Sequence, residues 1–475
     1  MFGQVILGPT APRDRRAAAA RHDGELAEDE AAVQGLLGGG NAAPGGRLDG
    51  RAANRGDPAR PAVGGLEVES GPGERGAAAA PQGTTELQSY INVLKANVGP
   101  GCLSLPYAFS QAGTVLGPVG FSVLATVALY NMHLLLDCQD RLKRQGVAAK
   151  TYGDVAQHTL GNSGRALVDL FVVITQVGIC SIYLVFFADS FPVEAVNGGV
   201  RLEHWQLVLA ATPLPLALAY VSEVKHLTPY SLAANVALGV SLLFILLLVA
   251  NQLQAVGSAE GLPLAVAGTL PLFVGNVVFS LEGIGLVLPI ANAARDRQRF
   301  PRVLTHGMLT SFAIFVSVGW LSYLAFGTIS DGSITAELEN RGLAGMELVN
   351  VLLCVAILLT YPLQLRPAAE VLSQTVNGTP PGNPGSFLFR SGIVVGTAGL
   401  AASVPNLGAI IGLCGSGGSA MLALIMPPLL ELKQRRLYDE PTGPARAYGL
   451  GAVAAFGAAV ALWGTVSAAA EIWIH

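Results

Sequence analysis

Residues 97–101, Asn97-Val98-Gly99-Pro100-Gly101, lie inside an apolar segment long enough to cross a bilayer, and they cannot stay helical there. Proline lacks an N–H and clashes with the preceding turn, and the flanking glycines add conformational freedom, so the spacing predicts unwound backbone between Leu94 and Leu103. Unwound backbone survives at membrane depth only where protein buries it or a water-filled cavity faces it. The stretch is therefore the first candidate binding site.

Around it the composition is that of a multi-span membrane protein. Of 475 residues 51% are hydrophobic and only 13% are charged, well below the charge of an ordinary soluble domain. A formal net charge of -4 gives no reason to expect nucleic acid or a strongly charged partner. Cys102, Cys138, Cys180, Cys354 and Cys414 all fall in apolar segments, where a small buried thiol is the ordinary reading, and no metal-ligand spacing joins them. Residues 1–83 are dominated by Ala, Gly, Arg and Pro, too poor in large apolar side chains to offset the entropy of ordering, and read as a disordered cytoplasmic tail. No cleaved signal is expected, because Arg13, Arg15 and Arg16 follow the short apolar start instead of preceding it. The acidic run around Asp23 to Glu30 argues against a transit peptide.

Residues 84–475 contain apolar segments of spanning length at 86–110, 115–138, 166–190, 206–222, 228–251, 263–291, 302–326, 345–366, 386–404, 406–430 and 447–472. The expectation is an all-α polytopic protein with eleven transmembrane helices. Alternate loops hold nearly all the basic residues, among them Arg141, Lys143, Arg144, Arg295, Arg297, Arg299, Arg366, Arg390, Arg435 and Arg436, whereas the opposite set holds only Arg201 and Arg341. Basic loops stay cytoplasmic, which puts the N-terminus there and predicts that the sequon Asn377-Gly378-Thr379 is unmodified.

The segment from 263 is long for a core of about 30 Å, and within it Glu282, Gly283 and Gly285 interrupt an apolar run. Corresponding interruptions in two halves of five helices point to an inverted-repeat transporter with its site near the bilayer midplane. Glycines also serve close helix packing, but packing explains neither the Pro100 break nor the Glu282 charge.

These residues also carry a resemblance. NVGPGCLSLPYAF, from Asn97 to Phe109, is similar to the first-helix signature of the amino acid/auxin permease family, a transmembrane domain of amino acid transporters. Agreement continues at TYGDVAQHTLG and the following helix (Thr151 to Asp189), FSLEGIGLVLPIAN (Phe279 to Asn292), LLTYPLQLRPAAE (Leu358 to Glu370) and the stretch from Val404 to Leu430. Within the family the chain resembles the proton-coupled and vacuolar amino acid transporters. The resemblance implies a LeuT-type five-plus-five inverted repeat with helices one and six broken, working by alternating access in a vacuolar, lysosomal or plasma membrane. It implies no cofactor and no enzymatic activity; its partners are an amino acid, a coupling proton or Na+, and the lipid bilayer. One position departs: where proton-coupled members carry a histidine early in the first helix, this chain has Asn92, which cannot titrate.

A zwitterionic amino acid needs a partner for each charge. The half-helix beginning at Gly101 would present the N–H groups of Gly101, Cys102 and Leu103 to the carboxylate. Carbonyls of Phe279, Ser280 and Leu281 would suit the ammonium. The resemblance places the same two groups of residues at the site, and the unwound Asn97, Val98 and Gly99 beside them belong to the candidate set. Glu282 is the one carboxylate expected deep in the bilayer, where an ionised side chain costs about 2.5 to 3.5 kcal/mol. It reads as a proton carrier, as a fixed structural acid that is neutral or paired with Lys95, or as a direct substrate contact. Lys95 more simply snorkels to the interface. Thr360 is a candidate cation ligand, or a threonine bonding back into its own helix. Tyr107, Phe109, Phe279 and Tyr361 line a pocket or pack. Asp137, Asp169, Asp189, Glu223 and Glu347 sit at helix ends as caps or gates.

Other classes fit less well. Tyr152-Gly153-Asp154 resembles a fragment of an intramembrane protease but lies in a basic loop, and no phosphate loop, HExxH or nucleophile elbow is present. An amino-acid sensor retaining the transporter fold is the strongest alternative, and a sodium-coupled transporter the next.

Overall fold

The computed structural model describes residues 83–191, 202–220, 224–329, 332–377, 384–404 and 406–474. The tail expected at 1–83 lies outside these apart from Gly83, as do Glu223 and most of the sequon. The described residues form helices and no strand, with one isolated bridge between Thr84 and Ala294. Eight helical segments among them are long and apolar enough to cross a membrane.

In chain order the elements begin with α1 (Glu86–Asn97), a tight 3-10 turn (Pro100–Ser104) and α2 (Leu105–Ala112). Then come α3 (Leu116–Arg144), the short α4 (Tyr152–Leu160), α5 (Asn162–Ser190), α6 (His204–Ala211), α7 (Pro213–Ala219) and α8 (Val224–Ala255). The second half holds α9 (Leu270–Ser280), α10 (Ile284–Ala293), α11 (Phe300–Phe326), α12 (Ile334–Asn340), α13 (Met346–Asn377) and α14 (Pro384–Ser403). It closes with α15 (Leu407–Cys414), two π-helical turns (Gly415–Ser419 and Met421–Ile425), α16 (Met426–Leu437) and α17 (Pro444–Ile474).

Both breaks are present. α1 starts with a capping box, Thr85 Oγ1 accepting from the Gln88 amide at 3.2 Å and Gln88 Oε1 from the Thr85 amide at 2.9 Å. It continues to Asn97, three residues beyond the expected start of unwinding, before Val98 and Gly99 become extended. α9 ends at Ser280 and α10 resumes at Ile284.

One expected boundary is corrected. The helix assigned from residue 263 begins only at Leu270. Residues 263–266 instead run as a strap against the turn between α2 and α3, Thr114 and Val115 donating to the Pro263 and Leu264 carbonyls at 2.9 and 3.0 Å, and Val266 donating to Ala112 at 2.9 Å. Pro263 cannot donate, so an extended path whose backbone is satisfied by a neighbouring turn replaces the first helical turns.

The core is two packed clusters. One surrounds Phe109, which is fully buried with its ring 5.9 Å from Phe121 and 6.1 Å from Phe273, and fits because Gly117 and Gly319 leave room for it. The other lies at the Arg-rich end, where Val93, Met132, Leu288, Leu304 and Met426 bring α1, α3, α10, α11 and α16 together. Between them, the chain from α15 to α16 widens into π turns for an identifiable reason. The Leu422 and Ala423 carbonyls accept bonds from outside the helix, from the Tyr152 hydroxyl at 2.8 Å and the Asn131 amide at 2.7 Å. At the Arg-rich end a fully buried Glu431 accepts from Arg141 at 3.0 Å, from Arg446 at 3.0 Å and from Arg435, tying α3, α16 and α17.

Candidate functional site

The two breaks meet. The Gly101 carbonyl accepts the Ser104 hydroxyl at 2.9 Å and lies 3.0 Å from the Ser280 hydroxyl, which is also 2.9 Å from the Asn276 carbonyl. The Phe279 ring lies over Gly101, where a β-carbon would stand 3.2 Å from it. On the other side of the break the Asn97 carboxamide donates to the Val93 carbonyl at 2.8 Å and lays its oxygen against Gly283. That oxygen is buried without a donor. Gly99 is extended, and a β-carbon there would meet nothing within 4 Å, so the backbone borders open space.

Cys102, Leu103, Phe279, Ser280 and Leu281 are all buried, and Val98, Gly99, Gly101 and Glu282 half-buried, so the structure brings the expected residues into one region. Their backbone groups are not all unengaged. The Cys102 amide bonds to the Gly99 carbonyl at 3.1 Å, and the Phe279 carbonyl accepts from the Glu282 amide at 3.1 Å. The Gly101 amide and the Leu281 carbonyl carry no such described backbone bond, whereas Leu103 lies inside the 3-10 turn, whose i to i+3 bonding engages its amide as it does that of Cys102.

Glu282 lies between α9 and α10, within electrostatic reach of the Tyr183 phenol on α5. Lys95 is exposed and forms no described ion pair with it. Thr360 donates to the Ala356 carbonyl at 2.8 Å, the bond into its own helix. Of the aromatic candidates only Phe279 sits at the break. Phe109 belongs to the core, Tyr361 bonds to Thr397 on α14, and Tyr107 reaches Glu471 on α17 at 3.0 Å. Among the helix-end acids, Asp189 pairs with His204 at 3.2 Å and Asp169 with Arg165 at 3.4 Å. Asp154 caps α4 and pairs with Arg165 at 3.1 Å, an ordinary helix start. Glu431 and Glu471 also lie in helices of spanning length, each toward its C-terminal end, as do Asp140 and Glu370.

A buried meeting of two helix interruptions, lined by backbone and by one carboxylate, is a binding arrangement, and no cluster of side chains that could hold a metal ion occurs among the described residues. The family model for transmembrane amino acid transporter proteins matches residues 82–469. This chain belongs to that family. The transporter is 28% identical over 372 residues to amino acid transporter ANT1 of Arabidopsis thaliana, covering 74% of this chain and 84% of the relative. It is likewise 28% identical over 413 residues to amino acid transporter AVT3C of Arabidopsis thaliana, covering 82% and 92%. The family is one of transporters, not enzymes, and the transporter is an integral multi-pass membrane protein.

Proposed function

We propose that this transporter carries an amino acid across its membrane by alternating access around the two breaks, with a proton as the coupling ion. The observation that carries the reading is the contact between them: the Ser280 hydroxyl 3.0 Å from the Gly101 carbonyl, with open space at Gly99 beside it. The substrate carboxylate goes to the Gly101 amide, which has no described backbone partner, at the start of the turn leading into α2, and its ammonium to carbonyls at the end of α9. On this reading the interrupted α1–α2 and α6–α7 and the shorter α14 also span the bilayer, which makes eleven spans in a five-plus-five inverted repeat followed by α17. The Arg-rich end then faces the cytoplasm.

Glu282 is the proton carrier in this proposal. Its half-buried place at the break and its lack of a described cationic partner support the assignment. A membrane potential supplies about 2.3 kcal/mol per charge per 100 mV. That is enough for one co-transported proton to shift an amino-acid gradient by more than tenfold. The test uses proteoliposomes with an imposed pH gradient. Glu282→Gln should keep exchange of labelled amino acid while abolishing accumulation driven by the gradient; undiminished accumulation removes Glu282 from the mechanism. Absence of any net uptake by the unaltered protein would favour a sensor.

Sodium is the second reading, favoured by the buried and donorless Asn97 oxygen, an atom suited to a cation. Accumulation that follows an imposed sodium gradient at equal pH would select it.

A further inference from the structure

At the Arg-rich end a narrow cleft opens between α7, α13 and α14, lined by Ala219, Pro362, Arg366 and Arg390. Arg390 is only 7% exposed. One of its N–H groups donates to the Ala219 carbonyl at 3.3 Å, a neutral acceptor at long range. Arg366, which shares the cleft, bonds to Glu370 at 3.1 Å. Two guanidinium groups thus converge on a cleft in which Glu370 is the carboxylate that acts on both, and it lies against Arg366. Among the described residues no carboxylate touches Arg390, and covering a guanidinium this completely with its charge met at a distance is unfavourable unless an anion completes the pair.

The cleft holds about 10 Å³ of free volume. That is room for roughly one water or one oxygen atom, so the anion reaches in from the mouth instead of entering whole. The mouth is at the bundle surface. Beside it Leu388 is 80% and Tyr220 51% exposed, and the Tyr220 hydroxyl is 3.1 Å from Ser391. An exposed leucine with a tyrosine hydroxyl at the helix end is the pattern of a membrane–water boundary. A planar guanidinium matches phosphate oxygens in pairs, and basic clefts between helices at this depth suit lipid head groups.

We infer that Arg390 and Arg366 form a binding site for the phosphate of an acidic phospholipid, whose acyl chains lie along α7 and α14. The bound head group would join α7, α13 and α14 at that end of the bundle.

The test places the full-length protein in nanodiscs of phosphatidylcholine alone or with phosphatidylinositol added, and reads the apparent Tm of each. Phosphatidylinositol should raise it by several degrees, Arg390→Gln should lose that rise, and inorganic phosphate added to the phosphatidylcholine discs should not reproduce it. Arg366→Gln, at a more exposed position, should shrink the rise and serves if the Arg390 variant does not fold. Equal Tm values in the two lipids would overturn the site, as would a rise that both variants retain. A rise produced by inorganic phosphate alone would overturn the lipid as its source.

Discussion

The carboxamide oxygen of Asn97 occupies the space that a β-carbon would take at Gly283, and the carboxamide carbon is 2.9 Å from that point. Because the Asn97 amide is held by Val93 at 2.8 Å, the side chain has no room to step aside without losing a buried bond. Gly283→Ala should therefore cost about 1 to 3 kcal/mol at the junction. Uptake should fall at least tenfold while the purified protein keeps its size-exclusion profile, and normal uptake by this variant would show that the two breaks need not touch.

Gly99 and Gly101 should respond differently. Gly99 is extended and faces open space, so Gly99→Leu fits the fold and fills the region assigned to the substrate. Its expected phenotype is an unchanged Tm with substrate affinity lost. Gly101→Val meets the Phe279 ring, with a β-carbon already at 3.2 Å, and should lower both Tm and affinity. Thermal unfolding with and without amino acid, measured on both variants, separates the two effects.

Glu431 is fully buried beneath Arg141, Arg435 and Arg446, and Arg141 is only 7% exposed. Removing the carboxylate breaks a buried pair and leaves Arg141 with Glu440 at 2.9 Å and Gln434 at 2.9 Å, so the cost should be toward the lower end of the about 3 to 5 kcal/mol typical of a broken buried ion pair. Glu431→Ala should lower the apparent Tm markedly in detergent. Glu370→Ala, which removes a carboxylate 40% exposed, should have a small effect.

His204 is the first residue of α6, ahead of the apolar segment 206–222, and donates through Nδ1 to Asp189 at 3.2 Å and through Nε2 to the Ala401 carbonyl at 3.1 Å. Both bonds together require the protonated ring. The Asp189 hydrogen bond, partly opposed by burial, raises its pKa above the ordinary value. A raised folded-state pKa gives stability that is complete below the unfolded value of about 6.5 and disappears as pH climbs through the folded value. The apparent Tm should decline across that window, and His204→Gln should flatten the decline. An identical pH profile in the variant would exclude His204 as the cause.

Both helix breaks were legible because their causes are local: a proline without an N–H in α1–α2, and a carboxylate with glycines between α9 and α10. The candidate residues around Gly101 and Phe279 could be named for the same reason. The bonding state of each backbone group could not, since the engagement of the Cys102 amide by Gly99 depends on the tight turn that the chain adopts after it unwinds. Nor could the strap at 263–266, whose apolar residues have a helical pattern but whose backbone is satisfied by the turn after α2.

The sequence by itself determined which segments are apolar enough for a bilayer, where they must break, and which family the motifs belong to, because propensity, hydropathy and missing donors act between near neighbours. Only the tertiary structure decided partners. Tyr107 finds Glu471 across 364 positions and Arg141 finds Glu431 across 290, while Lys95 stays exposed and away from Glu282. Such pairings follow from how helices cross and which faces they bury, and a side chain's neighbours along the chain carry no record of that.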